Sequence, residues 1–267
     1  MSVGVKAGYL DWSTFGQRQA HRLERVIARG ARGPGSVNPM LLIALVLLVV
    51  YFLTGSLQSP VQNATRNPIA FIAFVIAIVL GITVHEFMHA YAAHRLGDDT
   101  GRLMGRMTLN PLAHFDLFGT LLLVVAGFGY GKPVPFNESR LRSSASVALV
   151  ALAGPAANFT IAALCALPLR FNAVDPFGGA YTEILAYVVY FNCVLGIFNL
   201  VPIPPLDGSN VVYGLLPPQQ QYSWRQFQQY GPMLLLLLLL VGGRILFQIV
   251  FGPAQGLANL LVGTRLF

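Results

Sequence analysis

His85-Glu86-Phe87-Met88-His89 places two imidazoles four residues apart with a carboxylate beside the first, the H-E-x-x-H pattern. On a helix, residues i and i+4 lie one above the other, so both rings can reach one tetrahedral zinc ion. Glu86, rotated by about 100°, can reach an attacking water as general base. The chemistry this arrangement suits is metal-assisted hydrolysis. The competing reading is a pair of packing histidines beside a buried glutamate. It is disfavoured because ionisable groups inside an apolar helix are costly, and three fall here within five positions.

A catalytic zinc takes three protein ligands and keeps one position open. His94, His114, Asp116, Glu138 and Asp207 are the candidates for the third. Topology favours Asp207, because a span entering after Glu183 delivers it to the end of the molecule where His85 and His89 sit. It follows Pro202-Ile203-Pro204-Pro205-Leu206, which cannot continue a helix and must be extended or broken. The plain alternative is an interfacial turn whose aspartate caps the next helix.

The elements that must position these groups belong to a membrane protein. Of 267 residues 55% are apolar and 10% charged, with a mean hydropathy of +0.63; a soluble domain carries about 25% charge. A soluble enzyme, a disordered regulator and a collagen-like chain are thereby disfavoured. Uncharged intervals predict helices near 40–56, 69–95, 144–169, 183–203 and 230–250, with a sixth span possible in 251–267. Cys165 and Cys193 lie in apolar runs without metal or disulfide spacing. The first apolar run begins near Met40, so no removable signal peptide is expected.

The net charge of +7 comes mainly from arginine. Six cations against two acids in residues 1–38 put the N-terminus in the cytoplasm, with contacts to anionic lipid rather than nucleic acid. Arg95, Arg102 and Arg106 make 96–114 cytoplasmic too. The glycine-rich interval 117–131 is short for a span and predicts a membrane-associated β-hairpin, with strands at 121–125 and 134–136 and an edge that could pair with an extended peptide. The fold class expected is an all-α polytopic membrane protein with five or six transmembrane helices and this hairpin. A basic segment 1–38 precedes one membrane-embedded domain, 39–267, whose motif core covers about 80–215.

Taken together, His85-Glu86-x-x-His89, Leu109-Asn110-Pro111-Leu112-Ala113-His114, Gly131-Lys132-Pro133-Val134-Pro135, Ala153-Gly154-Pro155-Ala156-Ala157-Asn158 and Phe198-Asn199-Leu200 through Pro205-Leu206-Asp207-Gly208 resemble the site-2 proteases, intramembrane zinc metalloproteases, in a compact form without PDZ-like or CBS-like insertions. The resemblance implies that His85, His89 and Asp207 bind Zn²⁺, that Glu86 activates water, and that Asn158 and Asn199 lie near the substrate cleft. The Asn199 amide could hold substrate backbone or an oxyanion, although asparagines also hold membrane helices together. For His114 and Asn110 a role in ordering the loop is expected rather than zinc ligation.

The implied function is hydrolysis of peptide bonds in or near transmembrane segments of membrane-protein substrates, in a prokaryotic cell membrane. The alternative is a membrane metal carrier or sensor using the same ligands. Glu86 separates the two, since transport needs no base beside the metal, and the paired half-repeats of many transporters are missing from the sequence.

Overall fold

The computed structural model describes residues 67–117, 119–120, 123, 131–172, 178–241, 245 and 247–266. Its helices are α1 (Pro68–Arg95), α2 (Thr100–Leu103), α3 (Ser144–Arg170), α4 (Gly178–Asn199), α5 (Asp207–Leu215), α6 (Pro218–Gln228) and α7 (Gly231–Val241). A π-helical turn (Phe247–Phe251) then leads into α8 (Gly252–Val262). Among the described residues, α1, α3 and α4 are long and apolar enough to cross a bilayer. The helix expected at 40–56 and the segment 1–38 lie outside the described residues.

α1 starts where the sequence offers both entry signals. The Asn67 side chain accepts from the Ala70 N–H at 3.1 Å, and Pro68 occupies the first helical position. It ends at Arg95 with Leu96 as C-cap, followed by Gly97 at φ +111°, and the Asp98 N–H then donates to the Ala93 carbonyl at 2.9 Å. Ala70, Ala73, Phe74, Ala77, Ile78, Gly81, His85, His89 and Ala93 form one buried stripe at helical spacing. Ile72, Val75, Ile76 and Leu80 point outward. The buried side is mostly small, which lets helices approach closely in a medium where apolar area alone does not drive association. Ala162 and Ala166 of α3, Ala186, Val189 and Cys193 of α4, and Ala254 and Ala258 of α8 form a second close-packed cluster.

The helix expected at 183–203 begins earlier, at Gly178, and ends at Asn199. The chain then runs through successive turns over 200–206, because Pro202, Pro204 and Pro205 supply no N–H for a continuing helix. Gly208 lets α5 start hard against these turns, since a Cβ there would lie 2.2 Å from the Leu200 carbonyl oxygen. Within the helix expected at 230–250 the described residues give α7 over Gly231–Val241, a helical Ile245 and the π-helical turn Phe247–Phe251.

For the expected hairpin the described residues give a different picture. Most of 121–125 lies outside them, but Leu123 is helical, as are Leu117, Gly119 and Thr120. The cause is local. Asp116 accepts from the Gly119 N–H through its side chain at 3.0 Å and from the Thr120 N–H through its carbonyl at 2.8 Å, so it starts a helical turn instead of a strand. Val134-Pro135-Phe136 has no regular secondary structure and no ladder partner among the described residues, and an isolated antiparallel bridge, Phe115 to Gly131, closes the base of the loop.

Asp98, fully buried just past α1, ties this loop to the helix. Its carboxylate accepts from the Thr100 hydroxyl at 2.6 Å and N–H at 3.1 Å, and from the Asn137 N–H at 2.6 Å. Burial pushes its pKa up, but the bonds from Thr100 and Asn137 and the charge of Arg140 outweigh that and hold it below the ordinary value. A carboxylate depressed in the native state stabilises it above the unfolded-state pKa, and that contribution disappears as pH falls through the native value. Asp98→Asn, which sets an amino group against N–H or O–H donors, should therefore cost about 1–3 kcal/mol at neutral pH and flatten the loss of stability on acidification. Thermal unfolding followed against pH in detergent checks this; an unchanged profile would mean that the clamp carries no load.

Candidate metal centre

His85 and His89 are one helical turn apart on the buried stripe of α1, with Nε2 atoms 3.0 Å apart. Asp207, the first residue of α5, brings Oδ2 to 3.0 Å from His85 Nε2 and 3.2 Å from His89 Nε2. The other face of each ring is engaged: His85 Nδ1–H donates to Asn158 Oδ1 at 2.7 Å and His89 Nδ1–H to the Val150 carbonyl at 2.8 Å. Val150 is on α3, five residues before Pro155. With both protons fixed on Nδ1, two Nε2 lone pairs and a carboxylate face one another. Three acceptors converging without a donor call for a cation.

The spacing fits such an ion. Bonds of about 2.0–2.1 Å to a tetrahedral zinc separate its ligand atoms by roughly 3.3 Å, close to what these three atoms show. Gly154 of α3 keeps the space open: a Cβ there would stand 2.5 Å from His89 Nε2 and 2.7 Å from His85 Nε2. Among the described residues His85, His89 and Asp207 are the group that could hold a metal, and the donor set of two imidazoles and a carboxylate suits zinc.

Glu86 points away from that cluster's buried side, toward the segment 131–137. Its Oε2 accepts the Val134 N–H at 3.0 Å. Because Pro133 and Pro135 have no N–H, Val134 supplies the one backbone donor in these three residues, and Glu86 takes it. The segment is strapped down from several sides: the Arg106 guanidinium donates to the carbonyls of Ala113, Lys132 and Pro133, and the Lys132 N–H donates to the His114 carbonyl at 2.7 Å. Val134 itself is buried, and Phe136 packs near Ala93, Val147 and Val150.

The remaining candidates are occupied elsewhere. His94 bonds to Asp99 at 2.6 Å, Glu138 pairs with Arg225, and Asp116 caps its helical turn. His114 is fully buried with Nε2–H on the Thr108 carbonyl at 2.8 Å, and Asn110 accepts the Leu112 N–H at 3.1 Å; both bonds lie within the loop between α2 and the strap. Asn158 sits behind His85, with its amino group on Gly81 and Asn192, so its polar atoms face helix carbonyls and side chains and not an open cleft. Asn199 donates to the Leu195 carbonyl one turn back at 3.0 Å. Sequence reasoning missed three participants. Arg106 reads as one more cytoplasmic charge but is buried. Asp98 reads as a loop acid. Asn192 could have been noticed as a polar residue two turns before Asn199 on the same helix face.

The sequence profile of peptidase family M50 matches residues 73–180 and 177–242. YwhC of Bacillus subtilis (strain 168), provisionally named a zinc metalloprotease, is 36% identical over 171 residues, which cover 61% of this chain and 78% of that protein. Rip2 of Mycolicibacterium smegmatis (strain ATCC 700084 / mc(2)155), named in the same way, is 28% identical over 240 residues, covering 85% and 92%. The zinc metalloprotease MJ0392 of Methanocaldococcus jannaschii is 24% identical over 202 residues, covering 75% of this chain and 50% of that protein. No solved structure gives a significant match.

Proposed function

Because the chain belongs to peptidase family M50, the site-2 protease family, and is a zinc metalloprotease of that type, we propose that it cuts other membrane proteins in or near their transmembrane segments, with zinc held by His85, His89 and Asp207 and Glu86 as general base. The observation that carries this reading is the convergence of three lone-pair donors on a space kept open by Gly154, with a carboxylate next in sequence that is not among them.

Zinc, when bound, supplies Lewis-acid polarisation of the scissile carbonyl. Glu86 takes the proton from the attacking water as the new C–O bond forms, and delivers it to the amide nitrogen as the C–N bond breaks. The Val134 N–H holds Oε2 in place and leaves Oε1 for the water. Val150 and Asn158 keep the two rings in the tautomer that presents Nε2. A substrate helix must lose its own hydrogen bonds locally before its carbonyl is reachable, which puts the cut where the segment is already loosened by glycine or proline or nears the membrane surface.

The same reading places the domain over 39–267 after a basic cytoplasmic segment 1–38, in a prokaryotic cell membrane, with 40–56 among five or six spans. Its support is the distribution of arginines and uncharged intervals. The test is cleavage of a panel of single-span substrates by purified protein, before and after zinc is stripped by a chelator and restored, with cut sites mapped by mass spectrometry. Zinc-dependent cuts in or beside the apolar segment are expected. Cuts only in soluble extensions would overturn the intramembrane reading.

A further inference from the structure

The ring of His85 is held by Asn158, and the structure also shows what holds Asn158. Its amino group donates to the Gly81 carbonyl at 3.2 Å and to Asn192 Oδ1 at 2.9 Å, and the Asn192 amino group donates to the Val188 carbonyl, one turn back on α4, at 2.9 Å. Asn158 and Asn192 are both fully buried. The bonds run in one direction. A backbone carbonyl can only accept, so the end of the Asn192 amide facing Val188 must be NH₂ and the other end must be oxygen. That oxygen can only accept from Asn158, so the amide of Asn158 must turn its own oxygen toward His85. An oxygen there accepts Nδ1–H and leaves Nε2 unprotonated, facing His89 and Asp207.

We infer that Asn192 is a positioning residue for the metal centre, fixing the tautomer and orientation of His85 through Asn158 without touching the metal or the substrate. The inference rests on the assignment of His85 as a ligand. It also accounts for a polar side chain buried in the middle of an apolar helix, since removing either amide would cost its buried partner one hydrogen bond. Three helices meet in this relay, α1 through Gly81 and His85, α3 through Asn158, and α4 through Asn192, so ring orientation depends on their packing as a unit.

The experiment is a zinc-affinity measurement, by competition with a chromogenic chelator on full-length protein in detergent, for Asn192→Leu, Asn158→Leu, the double variant, Asn192→Asp and His85→Ala. Asn192→Leu should weaken zinc binding by about 10–100-fold, as loss of groups that orient metal ligands does, while the α-helical circular dichroism of the zinc-free protein stays unchanged. Asn192→Asp should recover most of the affinity, because a neutral carboxyl can donate to Val188 and accept from Asn158. The double variant should bind zinc no more weakly than Asn158→Leu, as links in one chain do. Wild-type affinity in Asn192→Leu, or losses that multiply in the double variant, would overturn the inference. If leucine prevents folding, Asn192→Ala removes the same amide without added bulk and is read in the same titration. Wild-type zinc binding by His85→Ala would instead overturn the ligand assignment.

Discussion

Glu86→Gln should bind zinc as the wild type does and cleave at least about 10²–10⁴-fold more slowly. The prediction follows from what the side chain touches. It is absent from the group formed by His85, His89 and Asp207, so metal content does not depend on it, and its Oε2 is held by the Val134 N–H at 3.0 Å. Glutamine has the same length and can turn its carbonyl oxygen to that N–H, so the strap should stay where it is. What glutamine lacks is the capacity to accept a proton from water at neutral pH. Metal content by elemental analysis and cleavage of one single-span substrate, measured on the same preparation, make the check. Loss of zinc would make Glu86 a ligand. Near-wild-type cleavage would place the base elsewhere. A metal carrier or sensor would show no zinc-dependent cleavage in either form.

Gly154→Ala should have an effect of similar size through the opposite link in the chain of causes. In the interior of a helix, alanine ordinarily stabilises relative to glycine by about 0.5–1 kcal/mol. Here the added methyl would stand 2.5 Å from His89 Nε2 and 2.6 Å from His85 Cε1, closer than carbon approaches nitrogen or carbon without bonding. The rings are already fixed by Val150 and Asn158, so yielding to the methyl breaks a buried hydrogen bond as well as the ligand geometry. We expect zinc affinity to fall by at least about 100-fold and proteolysis with it, while the α-helical circular dichroism of the zinc-free protein stays unchanged. Equal zinc affinity in the variant would show that α3 can move away from the two rings, and that Gly154 is not what keeps the space open.

Much of this arrangement could be read in the sequence, for reasons that particular residues make plain. His85, Glu86 and His89 stand out because charge in an apolar helix is expensive, and Asp207 because prolines must break the chain just before it. The entry of α1 is legible in Asn67-Pro68. Leu123, the described residue of the expected strand 121–125, is helical; a leucine run suits helix and strand alike, and the cap offered by Asp116 to the Gly119 N–H lies just before it. The hydrogen-bond relay behind His85 was illegible for a different reason. In lipid the packed and outward faces of a helix are both apolar: Ala73 and Ala77 are buried while Ile72 and Ile76 are exposed, so hydrophobic periodicity does not say which face of α4 meets α3. Arg106 misled for the same kind of reason, its charge being countered by carbonyls brought together only in the folded loop.

The strap over Glu86 bears on a hazard that every protease shares, which is its own backbone. The Pro133–Val134 peptide bond is the stretch of main chain held directly by Glu86, the proposed general base. Its carbonyl is taken by Arg106 and its N–H by Glu86. The prolines on either side of Val134 deny an approaching strand two donors it would need for pairing. With its oxygen held by the guanidinium and its N–H by Glu86, this peptide stays beside the proposed base in one orientation, and cutting the enzyme's own chain there would first require both bonds to break.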